Sequence, residues 1–594
     1  MSRRTSLLSS LAIPVLLAAC AGAPVQQEPG MQAPERATGL TEQRGATAQN
    51  FMVAAANPLA TQAGQRILQA GGSALDAAIA VQMVLTLVEP QSSGIGGGAF
   101  LLHTDGKRVQ AYDGRETAPA RVDENLFRGP DGKALAFHDA VVGGRSVGVP
   151  GVLRMLERAH REHGRLQWAA LFAPAIALAD EGFPVSQRLH TMLKSEQHLK
   201  KDPTAAAYFY DGAGEPHPVG YRLRNPELAQ VLREIASGGA DAFYTGRLAK
   251  EIEAKVQGHP GNPGALSAAD IAGYQARERE PICTDYRRWT VCGMPPPSSG
   301  GIAVAQMLGM LETRDMAALR PVDGVPSAEA IHLFSEAGRL AYADRGRYVA
   351  DSDFVPLPGN SPAALLDARY LQMRARLIGE RSMGKAEPGT PPATALALGT
   401  DRSPELPSTS HVSIVDAYGN ALSMTTTIED AFGSRQMVRG FLLNNQLTDF
   451  SFEAADAQGP IANRVEPGKR PRSSMAPTLV FERGTRELVL SAGSPGGSAI
   501  INYVAKVLVG TLDWELNVQD AISLPNFGSR NGPTEVEQGR VPEAVIESLR
   551  ARGHNVRVME QTSGLQGIMR ISREGRAAWF GGADPRREGA VMGD

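Results

Sequence analysis

Thr409 and Thr427 are two hydroxyl-bearing residues whose spacing places them on facing strands. They lie in the stretch 407-PSTSHVSIVDAYGNALSMTTTI-428, where two β-rich runs flank a short loop, as in a β-hairpin. If Asp416 pairs with Asn420, the loop has three residues and ends in glycine, which favours its left-handed position. Thr427 then lies opposite Thr409, with Cβ atoms about 5 Å apart. Facing threonines are common in sheets and are mostly structural, so the pair alone does not identify a nucleophile.

The segment that precedes Thr409 suggests how its hydroxyl becomes a nucleophile. Residues 382–408 are rich in Pro, Gly, Ser, Thr and Ala and show little periodicity, which is typical of an exposed linker. Cleavage between Ser408 and Thr409 would give Thr409 a free α-amine with an ordinary pKa of about 7.7 to 8.0. Because such an amine can act as general base for its own hydroxyl, the sequence predicts a chain that is cut at this bond.

Two further positions have the residue types of an acyl-transfer site. Arg115 lies in a turn after a predicted strand, where it is either a solvated surface residue or a fork that binds a carboxylate with two hydrogen bonds. Gly496 and Gly497 stand between a predicted strand and the helix that follows it within residues 488–510. Their N–H groups and the helix dipole would stabilise an oxyanion, and the alternative is a plain strand-to-helix turn.

The first twenty residues have the pattern of a secretory signal. Two arginines precede the apolar stretch 7–19, which is too short to span a membrane as a helix. The sequence LAAC, ending at Cys20, is similar to a bacterial lipobox, so we expect Cys20 to be lipidated; the alternative is an ordinary signal peptide. Residues 21–47 are a polar tether. The body would then be periplasmic and lipid-anchored, and Ala21 favours the outer membrane of a Gram-negative bacterium.

Composition excludes some classes of function. The chain has 594 residues, enough for a large core, and its net charge of −3 with no basic run gives no indication of nucleic-acid binding. Beyond Cys20 there are only Cys283 and Cys292, which flank a predicted hairpin. We expect them to form a disulfide in an oxidising compartment. No histidine accompanies them at zinc-like spacing, so no metal site is predicted.

Hydrophobic periodicity and helix-capping residues predict the elements that must position these residues. A helix is predicted from Pro58, and a second over 74–88 is capped by Ser73 and is apolar nearly all round, which indicates deep burial. The glycines of 94–98 lack the lysine of a phosphate loop and instead predict close approach of backbones. Residues 150–380 are largely helical, with a rigid Pro-rich turn whose serines we expect to cap the next helix.

Seven motifs, in this order, resemble those of the γ-glutamyltransferase family and together span almost the whole mature chain. They are GIGGGAF at 94–100, YDGRETAPA at 112–120, PPPSSGG at 295–301, TSHVSIVD at 409–416, LLNNQLTDF at 442–450, KRPRSSMAPT at 469–478 and GSPGG at 493–497. The resemblance implies an α+β fold, the four-layer αββα sandwich of N-terminal nucleophile hydrolases. It also implies self-cleavage into a large subunit, 48–408, and a small catalytic subunit, 409–594, which would form one intertwined heterodimer.

The resemblance also implies a role for each matching residue. Thr409 would be the nucleophile, and Thr427 the second hydroxyl that supports processing and catalysis. The residues expected to bind a γ-glutamyl group are Arg115, Ser473 and Ser474 for its α-carboxylate, and Asp449 and Gln446 for its α-ammonium. The N–H groups of Gly496 and Gly497 would form the oxyanion hole. A zwitterion needs a cation for one end and an anion for the other, which these residue types supply.

Two features depart from the commonest family pattern. Glu429 stands where many relatives have asparagine, so an extra carboxylate would serve the ammonium or alter acceptor selectivity. The segment from Asp449 to Ser473 is short, so a lid loop found in some relatives is expected to be absent. An uncovered pocket would admit bulkier acyl groups or acceptors.

The expected activity is ping-pong transfer of a γ-glutamyl group from glutathione or a similar donor to water, an amino acid or a peptide, without metal or organic cofactor. One alternative is a glutaryl-cephalosporin acylase of the same fold, against which Asp449 argues because a glutaryl group has no ammonium. Another alternative is an unprocessed envelope lipoprotein that acts as a binding module.

Overall fold

The computed structural model describes residues 39–403 and 408–594. The predicted signal peptide and its Cys20 lie outside the described residues, as does most of the predicted tether. The fold begins inside the tether range, since the backbone N–H of Thr41 donates to Pro585 O (2.8 Å) and the first strand starts at Ala46. Within the described part of the chain, no helix combines the length and the hydrophobicity of a membrane span.

The strands are short and distributed over the whole described chain. They are β1 Ala46–Ala48, β2 Met52–Ala55, β3 Gly98–Thr104, β4 Val109–Gly114, β5 Phe183–Pro184, β6 Arg222–Leu223, β7 Arg277–Arg279, β8 Ile282–Tyr286, β9 Trp289–Gly293, β10 Ser410–Val415, β11 Ala421–Thr427, β12 Met437–Val438, β13 Phe441–Leu442, β14 Ala455–Asp456, β15 Gly459–Pro460, β16 Thr478–Glu482, β17 Leu488–Gly493, β18 Phe527–Gly528, β19 Thr534–Glu537, β20 Val556–Met559, β21 Gln566–Arg573, β22 Arg576–Ala583 and β23 Ala590–Gly593.

The helices fall mainly in the first two thirds of the chain, as their periodicity predicts. They are α1 Pro58–Gln69, α2 Ala74–Val88, α3 Phe137–Val141, α4 Val152–His163, α5 Ala173–Glu181, α6 Gln187–Ser195, α7 Pro203–Phe209, α8 Pro226–Gly238, α9 Asp241–Tyr244, α10 Arg247–Gln257, α11 Ala268–Ala272, α12 Gly300–Leu311, α13 Ala328–Tyr348, α14 Ala368–Ala375, α15 Ile500–Leu512, α16 Val518–Ser523 and α17 Glu543–Ala551. Short 3₁₀ turns include Gln446–Asp449 and Gly497–Ala499.

Two seven-stranded sheets lie at the centre of the fold. One has the order β1-β22-β21-β17-β16-β9-β8 and the other the order β23-β2-β10-β11-β3-β4-β7. The sheets face each other through β10, β11 and β17. Helices α1, α2 and α4 cover the outer face of the second sheet, and α12, α15 and α16 cover that of the first. This arrangement is the four-layer αββα sandwich, so the expected fold class is confirmed.

Local signals in the sequence correspond to observed structure. Helix α2 is buried along its whole length, and Ser73 and Asp76 form its capping box. Cys283 and Cys292 are bonded across the β8–β9 ladder, which confirms the expected disulfide. Of the two serines expected to cap α12, Ser298 accepts through Oγ from the backbone N–H of Gly300, the first residue of the helix (3.0 Å). Ser299 makes no cap hydrogen bond and instead donates from Oγ to Ser473 O (2.7 Å).

The hairpin around Thr409 has the predicted register. Strand β10 pairs with β11 so that Ser410 faces Thr426 and Val415 faces Ala421. The loop is closed by the backbone N–H of Asp416, which donates to Asn420 O (3.0 Å). The glycine that ends the loop has a φ of 89°, the left-handed conformation. Thr427 is therefore opposite the residue that precedes Ser410, namely Thr409.

Candidate active site

The hydroxyls of Thr409 and Thr427 are in contact. Their Oγ1 atoms are 3.2 Å apart, and each lies 2.6 Å from the carbonyl oxygen of Ser408. Both side chains are almost completely buried. The candidate nucleophile and a second hydroxyl thus converge on the peptide bond at which cleavage is expected.

Backbone groups and one arginine fix the orientation of this pair. The backbone N–H of Glu429 donates to Thr427 Oγ1 (2.9 Å), which leaves the Thr427 hydroxyl hydrogen to donate to Ser408 O. Arg587, from the C-terminal segment, donates from Nη1 to the carbonyl oxygen of Thr409 (3.1 Å). The start of β10 is therefore held from both sides.

Arg115 and Asp449 form an ion pair beside the threonines. Arg115 is fully buried after β4, and its Nη2 donates to Asp449 Oδ2 and to Arg472 O (2.8 Å). Gln446 Nε2 donates to the same Asp449 oxygen (2.7 Å). A cation and an anion therefore stand together in the pocket, as recognition of a zwitterion requires.

Ser473 and Ser474 are held in the pocket wall mainly by Ser299 and Arg345, which come before Thr409 in the chain. Ser473 accepts from the backbone N–H of Met475 (3.1 Å), and its own backbone carbonyl accepts from Ser299. Ser474 Oγ accepts from Arg345 Nη2 (2.7 Å), and Arg345 Nε also donates to Ser299 Oγ (2.8 Å). The pair of serines is thus rigidly placed.

Glu429 has a left-handed backbone and a buried carboxyl group. Its φ is 78°, and its Oε2 accepts from Asn445 Nδ2. Burial, and then the neighbouring carboxylates of Asp449 and Asp430, raise the pKa of Glu429 well above its ordinary value. Glu429 would therefore hold a proton more readily than an exposed glutamate does.

The glycine turn after β17 completes the site. Gly496 has a φ of 138° and Gly497 a φ of 53°, so both need the conformational freedom of glycine. A Cβ at Gly496 would lie 2.6 Å from the Tyr503 ring. The turn Gly497–Ala499 leads directly into α15, so its backbone N–H groups lie at a helix N-terminus.

Most of these residues share one pocket. It is lined by Arg115, Thr409, Thr427, Glu429, Gln446, Asp449, Ser473, Ser474, Met475, Gly497 and Ile500. Of the residues predicted to act in catalysis or substrate binding, only Gly496 is outside this lining, directly next to Gly497. None of the lining residues comes from 450–472. Within that segment, the β14–β15 hairpin contacts Gly399, whose backbone N–H donates to Pro460 O (3.0 Å).

A separate buried group has the residue types of a metal site. His332, Glu336 and His554 have ligand atoms within 4.8 Å of one another, the one such group found among the described residues. His332 Nδ1 and His554 Nε2 are hydrogen-bonded at 2.7 Å, and Arg339 Nε donates to Glu336 Oε1 (2.9 Å). Because these polar atoms are already hydrogen-bonded to protein groups, the cluster serves as a packing contact between α13 and the C-terminal part of the chain.

Sequence reasoning missed several residues of the site. Met475 and Ile500 line the pocket, Asn445 holds Glu429, and Arg345 holds Ser474. No pattern in the sequence pointed to Arg345, because the burial of its helix α13 along nearly its whole length is visible only in the structure.

Comparison with known proteins agrees with the architecture. The model of the family described as Gamma-glutamyltranspeptidase matches residues 60–594. The glutathione hydrolase proenzyme of Escherichia coli (strain K12) is 37% identical over 556 residues, which are 91% of each chain. That of Bacillus subtilis (strain 168) is 36% identical over 553 residues, again 91% of each. The solved structure of cephalosporin acylase from Bacillus halodurans superposes with a TM-score of 0.80 at 28% identity, covering 95% of this chain and 99% of that one.

Proposed function

Because this chain belongs to the gamma-glutamyltranspeptidase family, we propose that it is a γ-glutamyltransferase with glutathione hydrolase activity. It takes the γ-glutamyl group of glutathione or another γ-glutamyl amide and passes it to water, an amino acid or a peptide. The observation that carries the proposal is the pairing of Arg115 with Asp449 in the pocket that contains the Thr409 hydroxyl.

The precursor activates itself at the bond between Ser408 and Thr409. The Thr409 hydroxyl attacks the carbonyl carbon of Ser408, and the Thr427 hydroxyl stabilises the carbonyl oxygen, to which it already donates. The C–N bond between Ser408 and Thr409 breaks as the Thr409 nitrogen takes up the hydroxyl proton, so an ester replaces the peptide bond. Water then hydrolyses this ester. The products are a large subunit that ends at Ser408 and a small subunit whose first residue, Thr409, has a free α-amine.

When the substrate binds, its two charged groups pair with Arg115 and Asp449 in place of the ion pair between those residues. Its α-carboxylate takes the place of Asp449 beside Arg115 and accepts hydrogen bonds from the hydroxyls of Ser473 and Ser474. Its α-ammonium then pairs with Asp449, and Gln446 and Glu429 complete that end of the pocket. The γ-carbonyl is thereby directed toward Thr409.

Acyl transfer then needs only groups of this pocket. The Thr409 amine accepts the hydroxyl proton as Oγ attacks the γ-carbonyl carbon. The N–H groups of Gly496 and Gly497 stabilise the resulting oxyanion. Collapse of the intermediate breaks the amide bond, and the leaving amine takes the proton from the Thr409 ammonium. Water or an acceptor amine attacks the γ-glutamyl ester in the same way and restores the free enzyme.

We also propose that the mature protein is a periplasmic lipoprotein. The support is the LAAC sequence ending at Cys20 and the polar composition of residues 21–45 before the first strand. A lipid on Cys20 would hold the enzyme at the outer membrane while its body stays in the periplasm. Growth with radiolabelled palmitate should label the wild type but not a Cys20→Ala variant, and an unlabelled wild type would refute the anchor.

A glutaryl-cephalosporin acylase is the second candidate, because the chain superposes on a cephalosporin acylase over nearly its full length. Asp449 favours the γ-glutamyl donor, because a glutaryl group has no ammonium that could pair with this buried carboxylate. The two donors can be compared as p-nitroanilides. The wild type should cleave the γ-glutamyl compound faster, and faster glutaryl cleavage would overturn the proposal.

Replacement of Asp449 by asparagine sharpens this comparison. Asp449→Asn should lower kcat/KM for the γ-glutamyl anilide about 10- to 100-fold, the cost of losing a charged hydrogen bond. Cleavage of the glutaryl anilide should change far less, because that donor makes no ammonium contact. Equal losses with both donors would contradict the role of Asp449 in ammonium recognition.

A further inference from the structure

We infer that Tyr342 and Arg530 are positioning residues for the oxyanion hole, and that both act through Ser498. The inference rests on the proposed function, since it concerns how the N–H groups of Gly496 and Gly497 are held in place. Neither Tyr342 nor Arg530 lines the pocket that contains Thr409.

The glycine turn needs external anchors because its backbone is conformationally permissive. Gly496 and Gly497 both have positive φ, and the 3₁₀ turn that follows them is one turn long. Within the turn, the backbone N–H of Ala499 donates to Gly496 O (3.1 Å). Glycines lose the most conformational freedom on ordering, so contacts to the next residue have a large influence on where their N–H groups point.

Ser498 is held at both its backbone and its side chain. The hydroxyl of Tyr342 donates to the Ser498 carbonyl oxygen, and Arg530 Nη1 donates to Ser498 Oγ (2.9 Å). Arg530 is itself fixed by Glu535 of β19, with Nη2 to Oε1 at 2.6 Å and Nε to Oε2 at 3.2 Å. Ser498 is thus hydrogen-bonded by two side chains from separate parts of the chain.

The helix that carries Tyr342 also reaches the other end of the pocket. Tyr342 and Arg345 lie one turn apart on α13, and Arg345 holds Ser474, which is proposed to bind the substrate carboxylate. One helix therefore sets the positions of the oxyanion hole and of the carboxylate site together. Because a packed helix is rigid, this arrangement fixes the separation at which an acyl group is held.

The hydroxyl of Tyr342 can be removed with little change in packing. Tyr342→Phe should lower kcat for the γ-glutamyl anilide about tenfold, as expected when one hydrogen bond that orients an oxyanion donor is lost. The KM should change less than twofold, because the groups that bind the substrate's carboxylate and ammonium are untouched. Ser498→Ala, which deletes the acceptor of Arg530, should give a smaller loss of the same kind.

The matched control is Tyr348→Phe. Tyr348 is also buried on α13, and its hydroxyl also donates to a backbone carbonyl, that of Gly389 (2.6 Å), outside the pocket. This variant should retain wild-type kcat. A common loss of activity in both tyrosine variants would indicate a general effect on the helix and would overturn the inference.

Inhibitor binding separates a positioning role from a structural one. A boronic-acid analogue of the γ-glutamyl group forms a tetrahedral adduct with the Thr409 hydroxyl, whereas L-glutamate binds without one. In Tyr342→Phe, affinity for the boronate should fall by the same factor as kcat, and affinity for glutamate should be unchanged. Equal losses for both ligands, or no loss in Tyr342→Phe and Ser498→Ala, would refute the inference. A wild type that is processed but inert toward γ-glutamyl anilides would instead refute the proposed function.

Discussion

At the scale of single residues, the site is a set of buried polar groups whose partners come from distant parts of the chain. Thr409 and Thr427 could be paired from the sequence because a hairpin fixes the register of its two strands. The contact between Arg115 and Asp449 could not be predicted from pattern, since it joins a turn and a 3₁₀ segment that are 334 residues apart. The resemblance to a known family supplied their roles, and the structure supplied their contact.

Glu116 gives a prediction about pH. It is fully buried beside Arg115, and burial raises its pKa from 4.5 to about 8. The folded state then binds more protons than the unfolded state between these values, so the free energy of unfolding falls as pH rises through this window. One such group contributes a slope of at most ~1.4 kcal/mol per pH unit.

Glu116→Gln should remove this contribution. Measured in the unprocessed Thr409→Ala background, so that one chain unfolds, the variant's Tm should fall less than that of the parent between pH 5 and pH 8. Glu124→Gln, at an exposed position nearby, should behave like the parent. Parallel Tm curves for all three proteins would show that Glu116 is ionised across the window.

At the scale of elements, glycines allow the strands that carry the site to approach one another. The run 94–98 predicted a close approach of backbones, and the structure confirms it. A Cβ at Gly97 would lie 2.0 Å from Thr427 O, and one at Gly96 would lie 2.1 Å from Leu442 O. The sequence alone could not identify these partners, because a glycine indicates that another backbone approaches closely but not which residue it belongs to.

Gly97→Ala should disturb the strand that presents Thr427. The added methyl group cannot be accommodated against a backbone carbonyl without a shift, and overpacking of this kind costs typically 1–3 kcal/mol. We expect the precursor to be converted into two chains more slowly, which gel electrophoresis of samples taken over time would measure. Gly212→Ala, where the methyl group meets nothing within 4 Å, is the control and should process at the wild-type rate. Equal rates for both variants would show that the approach at Gly97 is unimportant.

At the scale of the whole molecule, the proposed subunits share both sheets. In the second sheet, β2 of the large subunit lies between β23 and β10 of the small subunit, and β11 of the small subunit pairs with β3 of the large. In the first sheet, the small-subunit strands lie between β1 and β9 of the large. Periodicity predicted many of these elements, but the sandwich followed only from the family resemblance, because strand order depends on contacts between distant segments.

This interleaving predicts that cleavage leaves the subunits together. The processed protein should elute from gel filtration as one species that contains both chains, and the chains should separate only in denaturant. The backbone N–H groups of Gln49 and Asn50 donate to the side chain of Asp594, which adds a contact between the proposed subunits. Release of the small subunit in native buffer would contradict the shared-sheet architecture.

Whether cleavage makes Thr409 the N-terminal nucleophile can be measured by the intact masses and N-terminal sequences of purified wild type and Thr409→Ala. The wild type should yield two chains, the smaller beginning Thr-Ser-His-Val, and Thr409→Ala should remain one chain without γ-glutamyl transfer activity. Cleavage of Thr409→Ala at the same bond, or a wild-type small chain that begins at another residue, would contradict this prediction.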